Sequence, residues 1–85
     1  MSNYLAEVRV TPRAGLLDPE GKAIESALHS LDFPEAQQVR VGRLFRLQVK
    51  AGSAQDAQAR VDAMCRKLLA NPVTEDYEIA LEQTS

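Results

Sequence analysis

The chain has 85 residues, 45% of them hydrophobic and 26% charged, with ten Lys or Arg against twelve Asp or Glu and a formal charge of −2. That length supports one small core with little room for a deep private pocket, and the composition is that of a globular protein. One Cys and one His exclude an intrachain disulfide framework and a metal site made of those residue types alone, while the near-neutral charge and the absence of Trp argue against a nucleic-acid binder.

The first residues, Met1 to Glu7, lack the basic segment and apolar run of a secretory signal. No stretch approaches the 18 or so consecutive apolar residues that a membrane span needs, and a lone thiol suits a reducing compartment. The expected location is the cytoplasm.

Residues 4–11 alternate, with Tyr4, Ala6, Val8 and Val10 on one face and Glu7, Arg9 and Thr11 among those opposite, which predicts a half-buried strand. Pro12 to Leu17 is a connection. Asp18 is then a helix N-cap candidate with Pro19 at the first helical position, where a missing N–H costs nothing. Ala23, Ile24, Ala27, Leu28 and Leu31 recur at helical spacing, and Phe33-Pro34 ends the helical region. Gly21, inside the first turn, costs about 1 kcal/mol against Ala and so points to a close backbone contact, within the fold or with a partner.

Ala36 to Ala51 predicts two strands meeting near Gly42, one carrying Val39 and Val41, the other Phe45, Leu47 and Val49. Ser53 with Asp56 resembles a capping box. A second helix follows with Ala57, Val61, Met64, Cys65 and Leu68 on one stripe and the pairs Asp56/Arg60 and Asp62/Arg66 outside. Asn71-Pro72 stops it, and a last strand carries Tyr77, Ile79 and Leu81. The order β-α-β-β-α-β predicts a single α+β domain over residues 1–85, an antiparallel sheet with two helices on one face, of the ferredoxin-like kind. Leu5 and Leu44 fall on the other face, where they would mark an oligomer contact if they were neighbours.

Few side chains suggest chemistry. His29 has Glu25 and Asp32 near it in sequence, which reads as a surface His on a helix. Cys65 lies on the apolar stripe with no His to activate it, which reads as a buried structural thiol. The chain contains no Ser/His/Asp set, Cys/His pair or paired carboxylates in a recognisable frame, so no catalytic, cofactor-binding or metal-binding residue is assigned. Positive charge concentrates at Arg40, Arg43, Arg46 and Lys50, with Arg13 a candidate neighbour. Residues 1–50 hold seven basic and six acidic side chains, and residues 51–85 hold three and six. An RNA-recognition module would need more aromatics than the one in Val41-Gly42-Arg43-Leu44-Phe45-Arg46-Leu47. A charged strand edge or a protein-docking surface fits these residues better.

Three runs carry a resemblance: Gly15-Leu16-Leu17-Asp18-Pro19-Glu20-Gly21-Lys22-Ala23, then Val39-Arg40-Val41-Gly42-Arg43, then Met64 through Leu68-Leu69-Ala70-Asn71-Pro72-Val73 to Tyr77. In this order and spacing the chain resembles the PurS family, the small subunit of phosphoribosylformylglycinamidine synthase. It departs mildly, with Arg13 and Arg43 where that family often has Lys, Leu16 for a usual Val, and Thr74 for a usual Ile. The resemblance implies a non-catalytic, dimeric subunit that bridges a large synthetase subunit and a glutaminase subunit in purine biosynthesis. It also implies that the complex, and not this chain, uses ATP with magnesium and glutamine, and that neither nucleic acid nor membrane is a partner. The candidate partner contacts are Arg13, Arg40, Arg43 and Arg46, with the residues from 40 to 46 read as a hairpin, and Asn71 and Pro72 in the turn. The alternatives are a free-standing ferredoxin-like RNA-binding module and a small-molecule regulatory module.

Overall fold

The structure, a computed structural model, describes residues 1–16 and 18–84. Leu17, the last residue of the expected connection, and Ser85 lie outside the described residues. The elements in chain order are β1 (Ser2–Pro12), α1 (Pro19–Ser30), β2 (Arg43–Ala51), α2 (Ala54–Met64) and β3 (Glu75–Gln83). A single π turn, Cys65–Leu69, continues α2 and is closed by the Ala70 N–H donating to the Cys65 carbonyl at 3.0 Å.

β1 is the middle of an antiparallel sheet ordered β2-β1-β3. Its alternation dictates that place, since a central strand must pair on both edges and bury one face. Tyr4, Ala6, Val8 and Val10 are all buried, and the register sets Val8 between Phe45 and Ile79 and Ala6 between Leu47 and Leu81. α2 lies across this apolar face and supplies Ala57 and Val61, and the π turn that continues it supplies Cys65, each fully buried. Ser53 caps α2 as expected, its Oγ accepting from the Asp56 N–H at 3.1 Å. Of the two outer pairs, Asp62–Arg66 closes at 2.9 Å.

The α+β class and the antiparallel sheet agree with the sequence reading, but two elements are placed differently. Residues 39–41 are not a strand paired to β2. Their backbone is taken up by the first helix instead: the Val39 N–H donates to Glu25 Oε1 at 3.2 Å and the Val41 N–H to Asp18 Oδ2 at 3.0 Å. The hairpin expected from 40 to 46 therefore does not form. Secondly, only α2 rests on the sheet. α1 makes at most marginal contact with the sheet or with α2, and it projects from them with the 33–42 strap alongside.

α1 is well terminated at both ends. Asp18 Oδ1 accepts from the Gly21 N–H at 3.0 Å, with Pro19 opening the helix. At the other end Asp32 adopts a left-handed conformation with φ 73°. The Asp32 N–H then reaches the His29 carbonyl at 3.3 Å and the Phe33 N–H the Leu28 carbonyl at 3.0 Å, the paired bonds of a Schellman cap. Here Asp stands in the position that usually takes Gly.

An arginine-clamped turn as candidate functional site

Chain reversal between α2 and β3 forces four residues, Ala70 to Val73, to change direction at one end of the sheet. Pro72 cannot continue a helix, and Asn71 supplies the local bond that shapes the reversal: its Oδ1 accepts from the Val73 N–H at 3.0 Å. The Glu75 N–H donates to the Asn71 carbonyl at 2.8 Å and closes the turn.

Two arginines on different segments grip this turn. Arg13, just past β1, donates from Nη2 to the Pro72 carbonyl at 2.6 Å and pairs through Nε with Asp76 at 3.2 Å. Arg43, opening β2, donates from Nη2 to the Leu69 carbonyl at 3.0 Å and to Glu75 Oε1 at 2.9 Å. The same Glu75 oxygen accepts the Asn71 N–H at 2.8 Å. That N–H, and after it the Arg43 guanidinium, hold the Glu75 carboxyl below its ordinary 4.5. Arg43 also lies over the Phe45 ring, 5.9 Å from its centre, which keeps the guanidinium level with the turn.

Of the six candidate residues, the fold brings together four: Arg13, Arg43, Asn71 and Pro72. The other two lie elsewhere. Arg40 sits in the strap and donates to the Pro12 carbonyl, beside Asp18. Arg46 lies on the opposite face of the sheet, where its Nε meets Glu7 Oε1 at 2.9 Å. The four arginines of the basic cluster are thus divided among three places, ion-paired at the turn and on the sheet's other face and bonded to a backbone carbonyl in the strap. Glu75 was not singled out, although it joins Arg43 to Asn71. The available signal was its position at the start of β3, where a strand order of β2-β1-β3 sets it near both arginines.

A second acidic anchor is Asp18, whose two oxygens serve different segments, Gly21 and Val41. The Gly21 N–H first, then the Val41 N–H, hold its carboxyl below the ordinary 3.8. Gly21 itself resolves the close contact expected from the sequence. It is buried, and a Cβ there would lie 2.3 Å from the Val39 carbonyl oxygen, so the contact is within the fold.

Neither anchor is built for bond-making. At the turn the charged side chains Arg13, Arg43, Glu75 and Asp76 are engaged with backbone or with their opposite charge, and two large apolar side chains there point outward, Leu68 and Val73, 83% and 74% exposed. Cys65 is fully buried and burial, then Asp62, pushes its thiol up. The Tyr77 hydroxyl donates to Asp62 Oδ1 at 2.5 Å, a bond that raises its pKa and ties β3 to α2. His29 Nε2 lies 2.7 Å from the Ala36 carbonyl and joins α1 to the strap.

Residues 5–83 match the PurS family, described as phosphoribosylformylglycinamidine (FGAM) synthase. The chain belongs to the PurS family. It is 41% identical over 80 residues to the synthase subunit PurS of Bacillus subtilis, which covers 94% of each chain. The solved structure of the Bacillus subtilis PurS superposes with a TM-score of 0.84 at 42% identity, covering 93% of this chain and 98% of that one. A chain in the structure of PurLQS from Thermotoga maritima superposes with a TM-score of 0.88 at 30% identity, covering 96% of this chain and all of that one. Membership over this length extends the likeness to the turn and to the strap alike, since both lie within the matched residues.

Proposed function

We propose that this chain is the non-catalytic small subunit of the phosphoribosylformylglycinamidine synthase complex of purine biosynthesis. One observation carries the reading: the family match runs through residues 5–83, from the first strand to the last. The geometry supports it, because the charged side chains at the turn and at the start of α1 are spent on holding backbone, which suits a surface that binds proteins. The chemistry then belongs to larger partners. A glutaminase subunit releases ammonia, and a synthetase subunit uses ATP with magnesium to phosphorylate the amide oxygen of formylglycinamide ribonucleotide before ammonia attacks. This chain bridges the two as a homodimer or higher homo-oligomer, holds no cofactor of its own, and works in the cytoplasm on neither nucleic acid nor membrane. The likeness to a chain of the Thermotoga maritima PurLQS structure supports a three-component assembly.

We place the partner contacts at the clamped turn, through Arg13, Arg43, Asn71 and Pro72, with Arg40 and Arg46 as separate candidates. Because Arg43 and Arg46 lie on different faces, they are to be changed one at a time. The test is reconstitution with the two larger subunits of the same organism. Adding this chain is expected to restore glutamine-dependent synthesis while leaving ammonia-dependent synthesis unchanged. Full glutamine-dependent activity in its absence would overturn the assignment. Within that assay, Arg43→Glu is expected to lower co-elution with the complex, and undiminished assembly would remove the turn as a contact.

A further inference from the structure

β3 is an outer strand of the sheet, and among the described residues no strand pairs with its far side. The bonds at its two ends fix which backbone groups face outward. The Arg13 N–H donates to the Thr74 carbonyl at 3.0 Å and the Thr84 N–H to the Asn3 carbonyl at 2.9 Å. Between them the register pairs Tyr4–Pro12 with Glu75–Gln83 without a break. Inward and outward groups alternate along such a strand, so residues 76, 78, 80 and 82 bond to β1 while the N–H and C=O of Tyr77, Ile79 and Leu81 point away from it.

Edge strands are usually blunted by Lys, Pro, a bulge or short length. β3 has nine residues with no Lys, Arg, Pro or Gly among them and no bulge in its register. Its charges are all carboxylates. The face turned from α2 presents Asp76, Glu78 and Glu82, all exposed. Arg13 holds Asp76, and Glu78 and Glu82 have no ion pair among the described residues. On the other face a groove of about 600 Å³ runs between β3 and α2, lined by Leu81 from the strand and by Ala54, Gln55, Gln58, Ala59 and Asp62 from the helix. No residue of β1 or β2 lines it, which places it on the β3 flank.

We infer that β3 receives an extended segment of one of the two larger subunits as a fourth strand. Small apolar side chains of that segment seat in the Ala54–Ala59–Leu81 groove, and Lys or Arg at its alternate positions lie opposite Glu78 and Glu82. This rests on the subunit reading above and names the chemistry of one of its contacts. A second copy does not fit the same edge. Pairing β3 with its own equivalent about a two-fold axis joins outward groups to outward groups, and the registers of greatest overlap centre on Glu78, Ile79 or Ala80. They set Glu78 against Glu78, Asp76 against Glu82, or Glu78 against Glu82, and like charges directly opposite are destabilising. A segment basic at every second position turns those contacts favourable. Main-chain bonds and the groove then supply the hold, and the carboxylates select the sequence. The β2 edge carries Arg46 and Lys50 instead, so a basic segment is directed to β3.

The test uses the full chain with the two larger subunits of the same organism. Hydrogen exchange is read residue by residue on this chain alone and in the assembled complex. Assembly is expected to slow the Tyr77, Ile79 and Leu81 amides by about tenfold or more, and to change far less those of Glu78 and Ala80, which already bond to β1. Glu78→Lys with Glu82→Lys, both at exposed positions, is expected to keep the circular dichroism of the wild type and to weaken assembly about tenfold, as attractive pairs become repulsive. Assembly with the three outward amides still fast, equal slowing along all of β3, or a double variant that assembles like the wild type would each overturn the inference alone. Slow outward amides in the isolated chain would mean that a second copy fills the edge, and would overturn it too. Absence of assembly would reject the subunit reading and the inference with it.

Discussion

Gly21→Ala gives the sharpest test of how α1 holds the 33–42 strap. In an exposed helix the change to Ala gains about 1 kcal/mol, because Gly has the greater backbone freedom to lose. Gly21 is buried, however, and the added methyl would sit 2.3 Å from the Val39 carbonyl oxygen and 2.7 Å from Asp18 Oδ2, where ordinary contact begins at 3.4 Å. The strap must then retreat by about 1 Å, which stretches the 3.2 Å and 3.0 Å bonds of the Val39 and Val41 N–H groups beyond hydrogen-bonding range. Overpacking of this kind costs about 1–3 kcal/mol, and the upper part applies because a backbone carbonyl has no rotamer by which to move aside. After the helix gain, about 1–2 kcal/mol remains against docking of the strap on α1, a factor of about 5–30 in the ratio of docked to undocked strap. Amide exchange at Val39 and Val41 should accelerate by that factor. Ser26→Ala, on the exposed side of α1, is the control that raises helicity and leaves both amides unchanged. If Gly21→Ala raised helicity with exchange at Val39 and Val41 as slow as before, the packing account of this glycine would be wrong.

Other outcomes follow from the core and from the charged anchors. Val61→Ala, at a fully buried position of α2, is expected to cost about 2–3 kcal/mol and to lower the melting temperature by roughly 10–20 °C. Leu68→Ala, at 83% exposure, should move it by no more than a few degrees, and equal drops would mean that α2 is packed otherwise. Asp18 and Glu75 both have folded pKa values below their ordinary 3.8 and 4.5. Their stabilisation is therefore complete above about pH 4.5 and is lost as the pH falls through the lowered folded values, since the unfolded chain takes up protons first. Urea midpoints measured from pH 7 down to pH 2 should fall only at the acid end, and Glu75→Gln should flatten that fall. Alkylation of Cys65 at pH 8 should be slow in the native protein and fast in urea, because the thiol is buried and pushed up. Equal rates would place it at the surface.

What could be read in the sequence was whatever depends on neighbours along the chain. The alternation of Tyr4 to Val10 fixed both the strand and its buried face, and Asp18-Pro19 and Ser53 marked helix starts that the caps reproduce. The misplacement of residues 39–41 arose because alternating Val39 and Val41 satisfy the pattern of a strand equally well when a helix side chain, rather than a neighbouring strand, receives their N–H groups. Periodicity records which side chains share a face and is silent on where the backbone bonds go. The clamp was half legible. Asn71-Pro72 announced a turn, and Arg13 and Arg43 were noticed for their charge, but pairing them with Asp76 and Glu75 needs the register of three strands. Leu5 and Leu44 fail to be neighbours for the same reason: the register sets Leu5 opposite Gln48 and Leu44 opposite Arg9.

The charge pattern takes on a different meaning once its partners are known. Seven basic residues in the first fifty suggested a surface that attracts a partner by charge, yet Arg13, Arg43 and Arg46 are each within 3.2 Å of a carboxylate oxygen of this same chain. A paired guanidinium contributes little to long-range attraction and much to geometry. At the turn it fixes the backbone between Leu69 and Asp76, while the large apolar Leu68 and Val73 are among the side chains exposed there. At α1 a similar division recurs: Asp18 and Glu25 hold the strap, while Ile24 and Leu31 are exposed. In both places ionic groups set the shape and aliphatic groups are offered for contact. Association by this subunit should accordingly weaken little with added salt, and the heat-capacity change on assembly should be negative, as burial of apolar surface requires.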